Sequence, residues 1–389
     1  MRRVPMAKRP DARQRLEAGG CFFADMYGEP YMWESMPQAY AYEFAAEEVE
    51  RLQEATRALH DVALAVVDYA ATHESALASL GVPDNLAQAA MASWRRQDVA
   101  LYQRMDLGLD PTDGQFKLLE YNGDTPTGVV EMNCYLDWLY DAIELDMLPP
   151  GADQFNEFRM ELTEHFGNLA AGAPLYFAAA RGLTEEENTV EFLRLCADDA
   201  GHDARFIFLD EIGVDAQHNF ADQDQFVIEN LFKLLPWEDI AIGPYAQAAQ
   251  RTTTCRFFEP MWKMVWSNKA FLVLAWELFE GHEHLLPAFF EDDPRASTLK
   301  HYIRKPQWGR EGQNMSIVRD GTVGESLGGE YADDRMIVQA LIDLPSFDGR
   351  YPVFGSWVIA GKPAGILIRE DAHPITSNLS NCLPHYVLP

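Results

Sequence analysis

Four polar residues sit in two pairs with the same spacing: Arg104 and Asp106, then Glu120 and Asn122. Tyr102–Leu107 and Phe116–Tyr121 read as strands, and Asp110-Pro111-Thr112-Asp113-Gly114 between them is a turn signal. Side chains two apart on a strand share a face. A turn centred near Asp113 sets Arg104 opposite Asn122 and Asp106 opposite Glu120. Directly paired residues lie roughly 5 Å apart, close enough to share a cation. Two carboxylates and an amide carbonyl are the hard oxygen ligands that Mg²⁺ takes beside substrate phosphates. An adjacent arginine suits a phosphate or a carboxylate. On the hairpin alone, a solvated face with an ordinary cross-strand ion pair is the commoner meaning of such a pattern.

Further along, Ser267-Asn268-Lys269-Ala270 opens an apolar helical run. Lys305-Pro306 ends a strand spanning Thr298–Lys305 and leads into Gln307-Trp308-Gly309-Arg310-Glu311-Gly312-Gln313-Asn314, before Met315–Arg319 resumes extended character. A glycine-containing loop entered through a lysine can lay backbone N–H groups on phosphates, though most such loops are plain turns. Arg369 closes a strand after Gly365-Ile366-Leu367-Ile368, where it either points into a cleft or pairs with Glu370 or Asp371. The run Glu185-Glu186-Glu187 falls where a helix begins, which suits capping. His282-Glu283-His284 lacks the His-Glu-x-x-His spacing of a zinc helix.

The 389 residues suffice for two or three domains, and 48% hydrophobic content supports a sizeable core. A net charge of −30 repels nucleic acid and permits a cationic substrate. Five scattered cysteines without a Cys-x-x-Cys pair fit a reducing compartment. No apolar run follows the basic N-terminus as a secretory signal would, and none is long enough to span a membrane. The expectation is a cytoplasmic protein with small-molecule partners, neither nucleic acid nor membrane, and a possible homodimer.

Several elements must position these residues. The chain up to about Tyr42 reads as an irregular aromatic-rich arm. Phe44 to His73 has helical periodicity in Val49, Leu52, Ala55, Leu59, Val62, Val66 and Tyr69. A second helix follows Pro83, and Glu131–Leu145 is helical. Pro174–Ala179, Glu185–Asp199 and Ala204–Leu209 form a βαβ unit. Asp333–Leu344 reads as a helix, and Tyr351–Ile359 with Pro363–Arg369 as a hairpin.

In this order, Arg-x-Asp, Glu-Tyr-Asn-x-Asp, Asn-Lys-Ala, Lys-Pro-x-x-Gly-Arg-x-Gly and a late strand ending in Arg resemble the synthetase domain of the glutathionylspermidine synthetase family. The resemblance runs from about Cys21 to the end and fits the stand-alone acid–amine ligase group, without the amidase domain. It implies an α+β / α/β chain with an ATP-grasp fold, permuted so that the metal hairpin precedes the nucleotide lysines. The expected division is 1–100, an arm and helices; 101–150, the metal hairpin; 151–255, a βαβ substrate-side subdomain; and 256–389, the nucleotide-binding lobes. It also implies ATP and two Mg²⁺ ions, and amide formation from a carboxylate and an amine through an acyl phosphate. By motif, Asp106, Glu120 and Asn122 match the metal ligands. Arg104, Lys269, Lys305, Glu311, Gly312, Gln339, Ala340, Leu341, Ile342, Pro374, Ile375 and Thr376 match nucleotide contacts. Arg369, with Arg104, matches the arginines at the transferring phosphoryl group. Thr125, Glu185 and Glu186 match substrate positions, while Leu234 stands where the family has a threonine. A glutathione-like or peptidic acid and a polyamine-like amine are the implied substrates. A catalytically silent ATP-binding protein of the same fold is the rival reading; a hydrolase using the same carboxylates would leave Lys269 and Lys305 without a task.

Overall fold

Asp106 pairs with Glu120 and Arg104 with Asn122 across an antiparallel hairpin, Tyr102–Leu109 with Phe116–Asn122, the register expected from the turn. The computed structural model describes residues 1–170 and 172–389. The ladder slips between Asp106 and Leu107, so Leu119 has no partner in it. A bulge of this kind re-aims side chains and frees a backbone carbonyl. Here Lys305 Nζ donates to the Leu119 carbonyl at 2.7 Å.

The hairpin is one edge of a five-stranded antiparallel sheet completed by Tyr351–Ile359, Lys362–Asp371 and Asn381–Leu383. Gly355 faces Asp106 in this ladder, and a Cβ there would lie 2.8 Å from Arg104 Cδ. The missing side chain gives Arg104 its path across the sheet. The 25-residue helix Ala46–Ala70 packs behind it; Val49, Leu52, Ala55, Leu59, Val62 and Val66 are buried as their spacing requires. Thr56 and Ser356 share a buried 2.7 Å hydrogen bond at that contact.

The βαβ unit is present as Leu175–Ala179, Thr184–Asp199 and Ala204–Phe208. It belongs to a four-stranded parallel sheet with two further strands, Asn230–Lys233 and Arg256–Phe258, in the order Arg256, Asn230, Leu175, Ala204 by first residue. These two short strands carry no alternation of their own and exist because the central strand offers a ladder.

A second five-stranded antiparallel sheet holds His301–Pro306 and Met336–Ala340 at its centre. The expected helix over Asp333–Leu344 is therefore incorrect. The apolar spacing in Met336-Ile337-Val338-Gln339-Ala340 is compatible with either period. Partners on both sides, Ala288–Phe290 and His301–Pro306, decide for the strand. The N-terminal arm also differs from expectation. Arg2–Met6 and Ala39–Ala45 are strands, with a helix Ala12–Ala18 between them. Ala39–Ala45 pairs in parallel with His385–Leu388 at the other end of the chain, a contact no local pattern reveals. Among the described residues no helix is long and apolar enough to cross a membrane.

Candidate functional site

A cleft of about 490 Å³ lies where the sheets meet. It opens at the carboxyl end of the parallel sheet, between the loop after Leu175–Ala179 and the loop after Asn230–Lys233. The strand before each loop is followed by a connection to a different neighbour, so the chain turns opposite ways there. Such a switch point leaves a crevice in an open α/β sheet. Ala180, Leu183, Glu185 and Glu186 line one loop; Leu234, Leu235, Pro236, Glu238 and Asp239 line the other.

Arg104, Asp106, Glu120, Asn122 and Arg369 form the floor. Asp106 is held on both oxygens: Arg104 Nε donates to Oδ1 at 2.7 Å and Arg369 Nη2 to Oδ2 at 2.6 Å. Burial alone would raise its carboxyl; the two guanidinium groups outweigh it and hold it below the usual carboxylate range. Glu120 accepts from Lys269 Nζ at 2.6 Å. The amide nitrogen of Asn122 is buried without a hydrogen-bond partner among the described residues. The oxygens fit a hard divalent cation: the Asp106 and Glu120 carboxylates and the Asn122 amide carbonyl, the unpartnered nitrogen being a donor that ligates no metal. Among the described residues no three His, Cys, Asp or Glu side chains converge as an all-protein cage, and His282-Glu283-His284 makes none. Mg²⁺ does not need one, because phosphates and water complete its shell.

The expected nucleotide residues divide into two groups. Glu311, Gly312 and Thr376 line the cleft. Gly312 has φ +71°, and a Cβ on it would meet the Thr376 carbonyl at 2.3 Å, so the glycine loop lies directly on the Pro374–Thr376 segment. Lys269 and Lys305 stand just behind the floor. Lys269 bridges Glu120 and the Gly309 carbonyl, tying hairpin to loop. Lys305 Nζ also donates to Gln339 Oε1 at 2.7 Å, and burial lowers its pKa to about 7. Gln339 spends its amide nitrogen on the Leu118 carbonyl. The backbone N–H groups of Ala340 and Leu341 are bonded to Pro287 and His301 carbonyls, while Ile342 approaches Gly108. Ile375 packs with Met315 and Ile317.

Thr125, Glu185 and Glu186 all line the cleft. Burial raises Glu185, with Glu311 adding to it; burial and then Glu185 push Glu186 up to about 7. Sequence reading missed their neighbours. Asp124 is fully enclosed and takes Lys233 Nζ at 2.5 Å and the Trp237 N–H at 3.0 Å. Arg310, from the glycine loop, crosses to Glu238 Oε1 at 2.7 Å. Burial, then Asp124, raises Glu238 to about 7 despite that bond. Tyr31 and Met26 line the cleft from the N-terminal arm. Of these, only Asp124 and Arg310 lie inside a recognisable motif; the others are single residues brought in by the fold.

Residues 3–388 match the family described as glutathionylspermidine synthase preATP-grasp. A Haemophilus influenzae protein named "Putative acid--amine ligase" is 34% identical over 364 residues, covering 90% of each chain. The bifunctional glutathionylspermidine synthetase/amidase of Escherichia coli K12 is 26% identical across 87% of this chain and 58% of its own. Trypanothione synthetase of Crithidia fasciculata is 26% identical across 82% of this chain and 52% of its own. The chain thus spans little more than half of those two relatives. A glutathione synthetase-like effector from Globodera pallida, solved in its apo form, has the same mixed α/β fold, with a TM-score of 0.54 at 13% identity over 97% of this chain and 95% of that one. The matched family spans nearly every residue and the Haemophilus relative aligns almost end to end, so the chain belongs to the glutathionylspermidine synthase preATP-grasp family.

Proposed function

We propose that this protein is an ATP- and Mg²⁺-dependent C–N ligase that joins a carboxylate to an amine through an acyl phosphate, on a permuted ATP-grasp fold. The observation that carries this reading is the floor of the cleft, where Asp106 lies between Arg104 and Arg369 while Glu120 pairs with Lys269. Arg104, Asp106 and Lys269 are buried there, so their charges act at a lower effective dielectric than in water.

Bound metal would neutralise phosphate oxygens, held by Asp106, Glu120 and Asn122. The protein's own groups do the rest. Lys269 and Lys305 supply positive charge beside the nucleotide phosphates, and the Gly309–Gly312 loop covers them. Arg369 and Arg104 stand where negative charge gathers as the phosphoryl group moves to the substrate carboxylate. Glu185, Glu186, Glu238 and Asp239 give the facing wall an acidic character suited to an amine that arrives as an ammonium ion. Thr125 lies on the floor side, beside the position of the acid. A peptidic, glutathione-like acid and a polyamine-like amine are the substrate classes that fit.

The test is ADP release measured with glutathione, spermidine, both or neither, with product identified by mass spectrometry. Release that needs acid and amine together, with an amide product, is expected. Nucleotide binding without turnover across a panel of acids and amines would mean a silent binding protein instead.

A further inference from the structure

Glu131 is a carboxylic acid with no exposed surface and no cation within ion-pair distance among the described residues. It lies in the first turn of the helix Val129–Glu144. Its Oε1 accepts the Tyr31 hydroxyl at 2.6 Å, and its Oε2 has no hydrogen-bond partner among the described residues. Tyr31 lines the cleft, whereas Glu131 stands behind it. The floor carboxylates differ: Asp106 and Glu120 each have a cationic partner. A desolvated carboxylate without a counter-ion is costly, so the site favours either a proton or a cationic ligand.

We propose that Tyr31 and Glu131 accept the proton that the ammonium substrate must lose before its nitrogen attacks the acyl phosphate. This rests on the ligase reading above. The amine reaches the cleft as an ammonium ion and needs a base before its nitrogen can bond. In the balanced step, the nitrogen lone pair forms the C–N bond and the C–O bond to phosphate breaks. Phosphate leaves with the bonding electrons. Of the two protons the ammonium loses, the first passes before attack to the Tyr31 hydroxyl oxygen, whose own proton moves to Glu131, and the second leaves with the phosphate. Glu131 returns it to solvent when product leaves.

The surroundings support a group poised for this. Burial, and then Glu185 on the neighbouring helix, push Glu131 up to about 7; Tyr31 and Arg104 pull the other way. Arg104 itself is occupied by Asp106 and the Thr127 carbonyl. Cys382, which pairs with Arg369 in the sheet, and Tyr135 on the same helix also face the carboxyl, and Cys21 approaches from the arm; burial raises Cys382 and Tyr135, and the contact with Cys134, then burial, raises Cys21, so all three stay neutral at pH 7. A base serves best when it titrates near the working pH. Tyr31 is the catalytic residue of the pair, and Glu131 acts through it.

Hydroxylamine and spermidine separate the roles, because hydroxylamine is already unprotonated near neutral pH and needs no base. With ATP, Mg²⁺ and glutathione, Glu131→Gln and Tyr31→Phe should lower kcat for the spermidine amide about 10²–10⁴-fold. Hydroxamate formation should be spared, and the acidic limb of the spermidine pH profile should be lost. Equal losses with both nucleophiles, or a raised KM for spermidine at unchanged kcat, would overturn the proposal. A wild-type protein that makes neither product would refute the ligase reading itself. Infrared difference spectra of wild type against Glu131→Gln then judge the proton pair without turnover. A protonated carboxyl band at about pH 6 that fades by about pH 8 is expected, and its absence at the lower pH would overturn the proposal.

Discussion

Arg369 and Asp106 hold each other across the sheet, Nη2 to Oδ2 at 2.6 Å, although they lie 263 residues apart. In the proposed reaction these groups have different partners, a metal for Asp106 and the moving phosphoryl group for Arg369. On that proposal the ion pair is a resting arrangement that Mg²⁺ and ATP exchange for their own contacts. Arg369→Ala should leave ATP affinity nearly intact, because the proposal gives the phosphates to Lys269, Lys305 and the metal. Turnover should fall about 10³–10⁵-fold, the scale for an arginine aimed at a phosphoryl transition state. Normal turnover in the folded variant would make Arg369 a structural partner of Asp106. Joint loss of ATP binding would make it a nucleotide anchor.

The same arrangement predicts how the metal binds. Arg104, Arg369 and Lys269 already balance Asp106 and Glu120. Mg²⁺ alone has little to gain there, whereas Mg²⁺ with ATP brings phosphates for the released cations. Calorimetry should show little rise in Tm with Mg²⁺ alone and a clear rise with Mg²⁺ and ATP, corresponding to about 2.7 kcal/mol of stabilisation at a hundredfold excess over Kd. Asp106→Asn should abolish most of that gain. Equal stabilisation by the metal alone would contradict this account.

Lys305 sits at the hairpin bulge, with its ammonium on Leu119 and Gln339. Lys305→Ala should cost about 1–3 kcal/mol of stability by leaving those acceptors unpaired. It should also weaken ATP by roughly 1.5–3 kcal/mol, the range for hydrogen bonds to charged groups. A titration showing wild-type ATP affinity would reduce the residue to a structural one.

The hairpin register could be read from the sequence because Asp110–Gly114 fixes the turn and every partner is local. The βαβ unit was legible for the same reason. The pairing of Ala39–Ala45 with His385–Leu388 was not, since its partner lies at the far end of the chain. Met336–Ala340 was misread because a short apolar run acquires its period only from its neighbours. Residues inside motifs could be named from the sequence, and the cleft brings Arg104, Asp106, Glu120, Asn122, Thr125 and Arg369 together. Tyr31, Glu131, Lys233 and Glu238 carry no motif. Their chemistry arises from burial, which a sequence does not display.

Arg310 ties the glycine loop to the acidic wall through ion pairs with Glu238 and, at 3.7 Å, Asp239. The start of the loop is held separately, with Gln307 Nε2 on the Leu80 carbonyl and the Trp308 ring against Gly81. Arg310→Ala should speed amide hydrogen exchange in that loop, and ATP should slow exchange in the wild type. Exchange that is the same with and without ATP would exclude a lid.

Glu238 also predicts a pH dependence of stability. Its folded pKa is raised to about 7 from the ordinary 4.5, chiefly by burial. Between these values the folded state keeps a proton that the unfolded state has lost. The resulting stability is fully present below about pH 4.5 and is lost as pH rises through 7. Other groups act in the same range: Glu131 and Glu186 in the same sense, and His385, held down to about 3 by burial, in the opposite one. A difference measurement isolates Glu238. Glu238→Gln carries no proton to lose, so its stability relative to wild type should improve as pH rises from about 5 to 8. The change should be on the order of 1–3 kcal/mol. The lost bond to Arg310 shifts the whole curve without changing that slope, provided Glu238 is the group that titrates. Thermal unfolding of both proteins across the range decides it. A constant gap between the two curves would mean that Glu238 ionises at its ordinary pH and that its bond to Arg310 outweighs burial.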